Sequence, residues 1–139
     1  MRGKQFLDVI LNGMNILYKI SGTVTMGDQW GKVFGFPTAN IPLHKKIPEG
    51  IYASMVKING KEYYAASFVG AARTFHRTDS NVESYIFDFN KNIYGKWITI
   101  HLLKKIRDNK QFDTVDELIA QMKKDVEEIK EYFSKEISR

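Results

Sequence analysis

Ile51-Tyr-Ala-Ser-Met-Val-Lys-Ile58-Asn59-Gly60-Lys61-Glu62-Tyr-Tyr-Ala-Ala-Ser-Phe68 is the stretch that decides the architecture. Two runs rich in β-branched and aromatic residues, Ile51–Ile58 and Glu62–Phe68, flank an Asn-Gly pair. Both central residues of a type I′ turn need positive φ, which Asn and Gly tolerate best, so the stretch predicts a β-hairpin. Working outward, Val82 to Phe89 and Trp97 to Leu103 read as two further strands, joined by Asn90-Lys-Asn-Ile-Tyr94-Gly95. Upstream, a strand at Ile20 to Thr25 runs into a loop holding Gly27, Gly31 and Gly35. Residues 5 to 18 are ambiguous: Phe6, Leu7, Ile10 and Leu11 have helical spacing, but Asn12-Gly13 would end such a helix early.

The texture changes near residue 113. Val115, Leu118, Ile119, Met122, Val126, Ile129 and Phe133 recur at steps of three and four, the apolar face of a helix. Lys123, Lys124, Glu127, Glu128, Lys130 and Glu131 fill the opposite face, and Thr114 with Glu117 predicts a capping box at the start. Five or six short strands followed by one helix, with no βαβ alternation, give a mainly β fold: a closed or nearly closed antiparallel barrel with a C-terminal helix packed on it.

A chain of 139 residues fits one domain, residues 1–139, and is long enough to bury a core without disulfides or a structural metal. It has no cysteine, which excludes thiolate chemistry and Cys-ligated metals and fits a reducing, cytoplasmic setting. The longest charge-free run, Val33 to Leu43, is far short of the ~20 apolar residues of a membrane span. No secretory h-region is visible. Lys and Arg exceed Asp and Glu by 21 to 16, but the basic residues are scattered as pairs such as Lys45-Lys46 and Lys104-Lys105. That pattern is a lysine-rich solvated surface or a modest attraction for anions.

The three histidines, His44, His76 and His101, have no metal-ligand spacing, and the common Ser-hydrolase, P-loop and dinucleotide signatures are absent. One segment carries candidate chemistry: Gly22-Thr-Val-Thr-Met-Gly27-Asp-Gln-Trp-Gly31-Lys32-Val-Phe-Gly35-Phe-Pro37-Thr38-Ala-Asn40-Ile. Its glycines let backbone amides approach an anion, Lys32 adds charge, and Thr38 and Asn40 supply hard oxygen donors, a set that suits phosphate and Mg²⁺. A glycine-rich connection between strands, with Pro37 fixing a turn, is the structural alternative.

This segment resembles the riboflavin kinase family, whose pattern runs Gly-x-Val-x-x-Gly, a basic residue, then Gly-Phe/Ile-Pro-Thr-Ala-Asn. Further islands keep order and spacing: Pro48-Glu-Gly50-Ile-Tyr52, Glu83-Ser-Tyr-Ile-Phe-Asp-Phe-Asn-Lys-Asn-Ile-Tyr94-Gly95, and Leu103-Lys-Lys-Ile-Arg107 through Phe112 to Leu118. Together they cover about Leu17 to Phe133. The resemblance implies a six-stranded antiparallel Greek-key barrel with a C-terminal helix, transferring the γ-phosphoryl group of ATP to the ribityl 5′-hydroxyl of riboflavin to give FMN. By motif position it implies that Thr38 and Asn40 hold Mg²⁺ and the phosphates. Gly22, Gly27, Gly31, Lys32 and Gly35 would wrap the nucleotide, and Glu83 would be the catalytic base. Arg107 and Phe112 would close over the flavin as part of a flap.

On strand periodicity Glu83, Tyr85, Phe87 and Phe89 share one face, with Asp88, the competing carboxylate, on the other. The chain departs from the family pattern at Val69-Gly70-Ala-Ala72-Arg73-Thr74-Phe75, where an amide or basic residue and a proline are usual, and at Tyr85, where His is common. The His-x-Gly-His-type signature of the adenylyltransferase domain in bifunctional relatives is absent, so FAD synthesis is not expected of this chain. The expected partners are riboflavin and ATP, with no nucleic acid and no membrane, and the expected state is a monomer. The competing reading is a non-catalytic barrel that binds flavin, or single-stranded nucleic acid by stacking bases on Tyr and Phe.

Overall fold

The computed structural model describes residues 15–25, 38–71 and 80–137. Among the described residues, six strands, β1 (Tyr18–Thr23), β2 (Ala39–Pro42), β3 (Gly50–Ile58), β4 (Lys61–Gly70), β5 (Asn81–Ile86) and β6 (Trp97–Arg107), precede one helix, α1 (Val115–Ile137). They form one antiparallel sheet in the order β1-β6-β3-β4-β5-β2. The sheet curls until its edges meet. Thr25 donates its backbone N–H to the Asn40 carbonyl at 2.8 Å, bridging the end of β1 to β2 and nearly closing the barrel.

The hairpin forms as its sequence demands, with Asn59 at φ 51° and Gly60 at φ 83° between the paired Ile58 and Lys61. β3 is buried along almost its whole length because both of its faces are covered. Tyr52, Val56 and Ile58 point into the barrel with Ile20, Ile41, Val69, Val82, Ile86, Ile98, Ile100 and Leu102. Ile51, Ala53 and Met55 point out, under α1, with Phe87, Leu103, Val126, Ile129 and Phe133. Three polar side chains sit inside the barrel with no exposure: the hydroxyls of Ser54 and Ser67, and those of Ser67 and Ser84, lie 2.6 Å apart, and Ser54 donates to the Ala65 carbonyl at 3.0 Å. Each oxygen is thereby partnered, as burial requires.

The predicted capping box is present, with the Glu117 amide donating to Thr114 Oγ1 at 3.1 Å and the Thr114 amide donating to Glu117 Oε1 at 3.3 Å. The apolar stripe of α1 is buried unevenly. Val126, Ile129 and Phe133 are buried against the sheet, whereas Val115, Leu118, Ile119 and Met122 are half-buried. The first two turns therefore lie at the rim of the packing surface rather than over it.

β1 begins and ends two residues earlier than the Ile20–Thr25 of the sequence reading, and β5 and β6 also differ from it in extent. β5 ends at Ile86, and the chain turns at Phe87 and Asp88, where Asp88 adopts φ 55°. The common face holds for Glu83, Tyr85 and Phe87 but fails at Phe89, which packs on Tyr63 at the edge of the barrel core. Asp88 is exposed in the turn and belongs to neither strand face. β6 extends four residues beyond Leu103, with register shifts opposite Ile51/Tyr52 and Ala53/Ser54. Such bulges bend a strand and re-aim its end, here bringing Arg107 opposite Ile51.

Candidate functional site

In β2 the alternation of the strand turns Ala39 and Ile41 into the barrel and Asn40 outward. Asn40 pairs in register with Glu83 of β5, so both side chains rise from the same outer face. Thr38, two residues before Asn40, lies on that face too and donates from Oγ1 to Glu83 Oε1 at 3.3 Å. The three residues that the sequence singled out as metal ligand, metal ligand and base thus form one cluster.

The cluster fits a divalent cation. Asn40 is only 5% exposed, and its Oδ1 is buried without a hydrogen-bond partner among the described residues, an arrangement that costs free energy unless a further group satisfies it. A threonine hydroxyl that donates its proton to Glu83 keeps its oxygen lone pairs available as acceptors. Two neutral oxygens beside a carboxylate make a short hard-donor set of the kind that Mg²⁺ completes with water and substrate phosphate.

The pairing registers extend this cluster into a row. Arg107 of β6, Ile51 of β3, Phe68 of β4, Glu83 of β5 and Asn40 of β2 lie side by side across five strands. Glu83 and Arg107 are three interstrand spacings apart, ~14 Å along the sheet, with the apolar Ile51 and Phe68 between them. The row places an acid, hydroxyl and amide at one end, an apolar floor in the middle and a guanidinium at the other end.

Arg107 is the last residue of β6, where the sequence reading had it in a flap. Its Nε and one terminal nitrogen donate to the two carboxylate oxygens of Asp125 on α1, both at 2.8 Å, and its guanidinium lies 5.8 Å from the Phe112 ring centroid. Phe112 itself is buried in the connector between β6 and α1. Asp125 and Gln121, which donates to Asp125 Oδ1 at 2.9 Å, were missed by the sequence reading. The signal was present: Asp125 stands three residues after Met122 and four before Ile129, a carboxylate on the apolar face of the helix.

The remaining predicted residues divide in two. Gly22 lies in β1, where a Cβ would come within 2.7 Å of Ile41 Cγ2, so the close approach of β1 to β2 requires a glycine there. Gly27, Gly31, Lys32 and Gly35 lie outside the described residues, as do Ala72, Arg73 and Thr74. Thr25, the last described residue before that glycine segment, also donates from Oγ1 to the Asn40 carbonyl at 3.2 Å, which anchors the start of the segment beside the cluster. Gly50, in the Pro48-Glu-Gly-Ile-Tyr52 island, has φ 153° and would place a Cβ 2.5 Å from the Arg107 carbonyl. Tyr52 donates to the Pro48 carbonyl at 2.6 Å, and burial raises its hydroxyl above the ordinary tyrosine range. At the rim, the Lys105 ammonium lies 2.6 Å from the Asp108 carboxylate, which raises the lysine and lowers the aspartate.

Fold and site together define a small antiparallel barrel that carries a hard-oxygen cluster next to an apolar, guanidinium-ended strip on its outer face. The family model described as Flavokinase, riboflavin kinase, matches residues 14–133, and the chain belongs to that family. It is 37% identical over 123 residues to the bifunctional riboflavin kinase/FMN adenylyltransferase of Bacillus subtilis, covering 84% of this chain and 39% of the relative. The corresponding Haemophilus influenzae protein is 36% identical over 120 residues, and again 39% of it is covered. The chain thus spans about two fifths of the length of these relatives. Among solved structures, riboflavin kinase from Trypanosoma brucei superposes with a TM-score of 0.59 at 25% identity, covering 84% of this chain and 80% of that one. A macrolide-efflux protein from Streptococcus pneumoniae superposes with a TM-score of 0.68 at 38% identity, covering 78% and 37%. Proteins of the riboflavin kinase family bind riboflavin and ATP and typically use a divalent metal. No helix among the described residues is long and apolar enough to cross a membrane.

Proposed function

We propose that this chain transfers the γ-phosphoryl group of ATP to the ribityl 5′-hydroxyl of riboflavin, giving FMN and ADP, with Glu83 as the base and Thr38 and Asn40 at the metal and phosphate end. The observation that carries the reading is the Thr38–Glu83–Asn40 cluster on one outer row of the sheet. Phosphoryl transfer runs through a loose transition state, so the protein's task is to position reactants and neutralise charge. Glu83 is held by the Thr38 hydroxyl and flanked by Phe68, which leaves a carboxylate at the edge of an apolar strip. There it orients the ribityl hydroxyl along the transfer direction and takes its proton as the new P–O bond forms and the bond to the β-phosphate oxygen breaks.

Mg²⁺ is the cation we assign to this cluster; when bound, it supplies charge neutralisation at the phosphates. Thr38 Oγ1 and Asn40 Oδ1 would hold it. The glycine segment with Lys32 would wrap the nucleotide, starting from Thr25, which is anchored on Asn40. The flavin would lie toward Arg107 and Phe112, along the half-buried Phe68 and beside Ile51, which is buried under α1. The reading takes the chain as one domain with its core at residues 17–133, monomeric and cytoplasmic, in keeping with the absence of cysteine. Incubation with riboflavin, ATP and Mg²⁺, followed by chromatography, should yield FMN in step with ADP. Absence of FMN from folded protein would refute the assignment.

A further inference from the structure

Among the buried residues on the face of α1 toward the sheet, Asp125 alone is polar, and it carries an ion pair. Asp125 is 4% exposed, yet it receives two hydrogen bonds from Arg107 and a third from Gln121, which satisfies both of its oxygens. A buried pair of this kind is a poor source of net stability, because desolvation offsets most of the attraction and apolar side chains of the same volume serve as well. What such a pair does provide is fixed direction: a bidentate guanidinium–carboxylate contact permits one relative orientation.

The direction set here is that of the connector between β6 and α1. While two nitrogens of Arg107 are held by Asp125, the third donates to the Asp108 carbonyl at 3.0 Å, at the first residue of the connector. The same guanidinium stands 5.8 Å from the centre of the Phe112 ring near the connector's end. Between these points Asn109 donates to Glu49 Oε1 at 3.1 Å, tying the connector to the start of β3. Arg107 is therefore a hub that joins β6, the connector and α1, and Asp125 is the group that fixes the hub.

We infer that Asp125 is a positioning residue for the flavin end of the site: it holds Arg107, and through it the 108–114 connector, where riboflavin must lie, and touches neither substrate itself. This rests on the kinase reading above. Asn40 stands at the other end of the row, with Ile51, Phe68 and Glu83 between it and Arg107, so the two substrates should feel the loss of Asp125 very differently.

The test is steady-state FMN formation by the full chain, with riboflavin varied at saturating ATP and Mg²⁺ and then the reverse. Asp125→Asn should raise the riboflavin KM about tenfold and leave the ATP KM within about twofold, the pattern of lost orientation at one substrate only. Gln121→Ala, at a half-buried position, should move the riboflavin KM the same way by roughly threefold, since it removes one of the three hydrogen bonds that hold the Asp125 carboxylate. Combining Asp125→Asn with Arg107→Gln should give a riboflavin KM no higher than Arg107→Gln alone, because residues that act through one another are not additive. A lower melting temperature with both KM values unchanged, or multiplicative effects in the double variant, would overturn the inference. If Asp125→Asn does not fold, Gln121→Ala decides, and an unchanged riboflavin KM there sinks the idea. If the unaltered protein makes no FMN, the kinase reading fails instead. Riboflavin binding, followed by quenching of flavin fluorescence, then decides the positioning role: equal affinity in the unaltered protein and Asp125→Asn rejects it.

Discussion

Replacing Glu83 by Gln separates the proton-accepting role of this residue from its place in the sheet. The side chain keeps its length, and the new amide oxygen still accepts from Thr38 Oγ1, so the 3.3 Å contact and the pairing with Asn40 survive. What disappears is the basic site. General-base assistance typically contributes ~10²–10⁴-fold. At the lower limit that is ~2.7 kcal/mol of transition-state stabilisation, at ~1.36 kcal/mol for each factor of ten. The loss should fall on kcat, with the KM values for riboflavin and ATP changing little, because the ground-state contacts are preserved. Asp88→Asn is the matched control. Asp88 is exposed in a turn at φ 55°, and asparagine tolerates positive φ as well as aspartate does, so the substitution removes a nearby carboxylate without strain. Its kcat should stay within about twofold of the parent. The assay is initial-rate FMN formation by chromatography at saturating substrates, with circular dichroism to confirm the fold. A Glu83→Gln enzyme that retains more than about a tenth of the parent kcat, or an Asp88→Asn enzyme that loses activity, would refute the assignment of the base.

Three further outcomes are expected. Thr38→Ala and Asn40→Ala should each cut turnover at saturating ATP and raise the Mg²⁺ concentration needed for half-maximal rate, which a metal titration of the FMN-forming rate would show; near-parental behaviour of either removes it from the metal end. Ile129→Ala, at a fully buried position under the sheet, should cost ~2–5 kcal/mol in denaturant unfolding, whereas Met122→Ala, half-buried, should cost clearly less. His101 is held below the ordinary histidine range by burial and by Lys19 and Lys57, so the unfolded chain takes up its proton first as pH falls. Stability should therefore drop as pH falls below about 7, and melting curves of His101→Gln should be flatter across that interval.

The elements legible in the sequence were those whose local signals agree with their tertiary setting. Asn59-Gly60 fixed its hairpin because the turn needs two positive φ angles, and Thr114 with Glu117 marked the start of α1 because an unpartnered helix end needs a cap. Thr38, Asn40 and Glu83 came as one group only through motif position; nothing in the spacing of residues 38 to 83 says that β2 and β5 are neighbours, since that follows from the long-range closure of the sheet. Periodicity misplaced Phe89 and Asp88 because a run of aromatic residues does not show where a chain turns once Asp88 takes up positive φ. It also left Arg107 in a loop, since the bulges that carry β6 to residue 107 have no signature in a sequence of mixed Lys, Ile and Leu. Asp125 is the instructive omission: a charge on the apolar face of a helix announces a partner, but only the fold says which.

The three serines inside the barrel act on the assembly of the site as a proofreading device. Ser54, Ser67 and Ser84 come from three different strands, and their hydroxyls meet only when β3, β4 and β5 are in their native pairing. A one-residue slip of β5 would turn Ser84 out and drive Glu83 into an apolar interior, leaving a naked carboxylate where Val69 and Val82 now pack. The arrangement that partners all three hydroxyls is thus the one that delivers Glu83 to the outer row, so register and site geometry are specified by the same pairing.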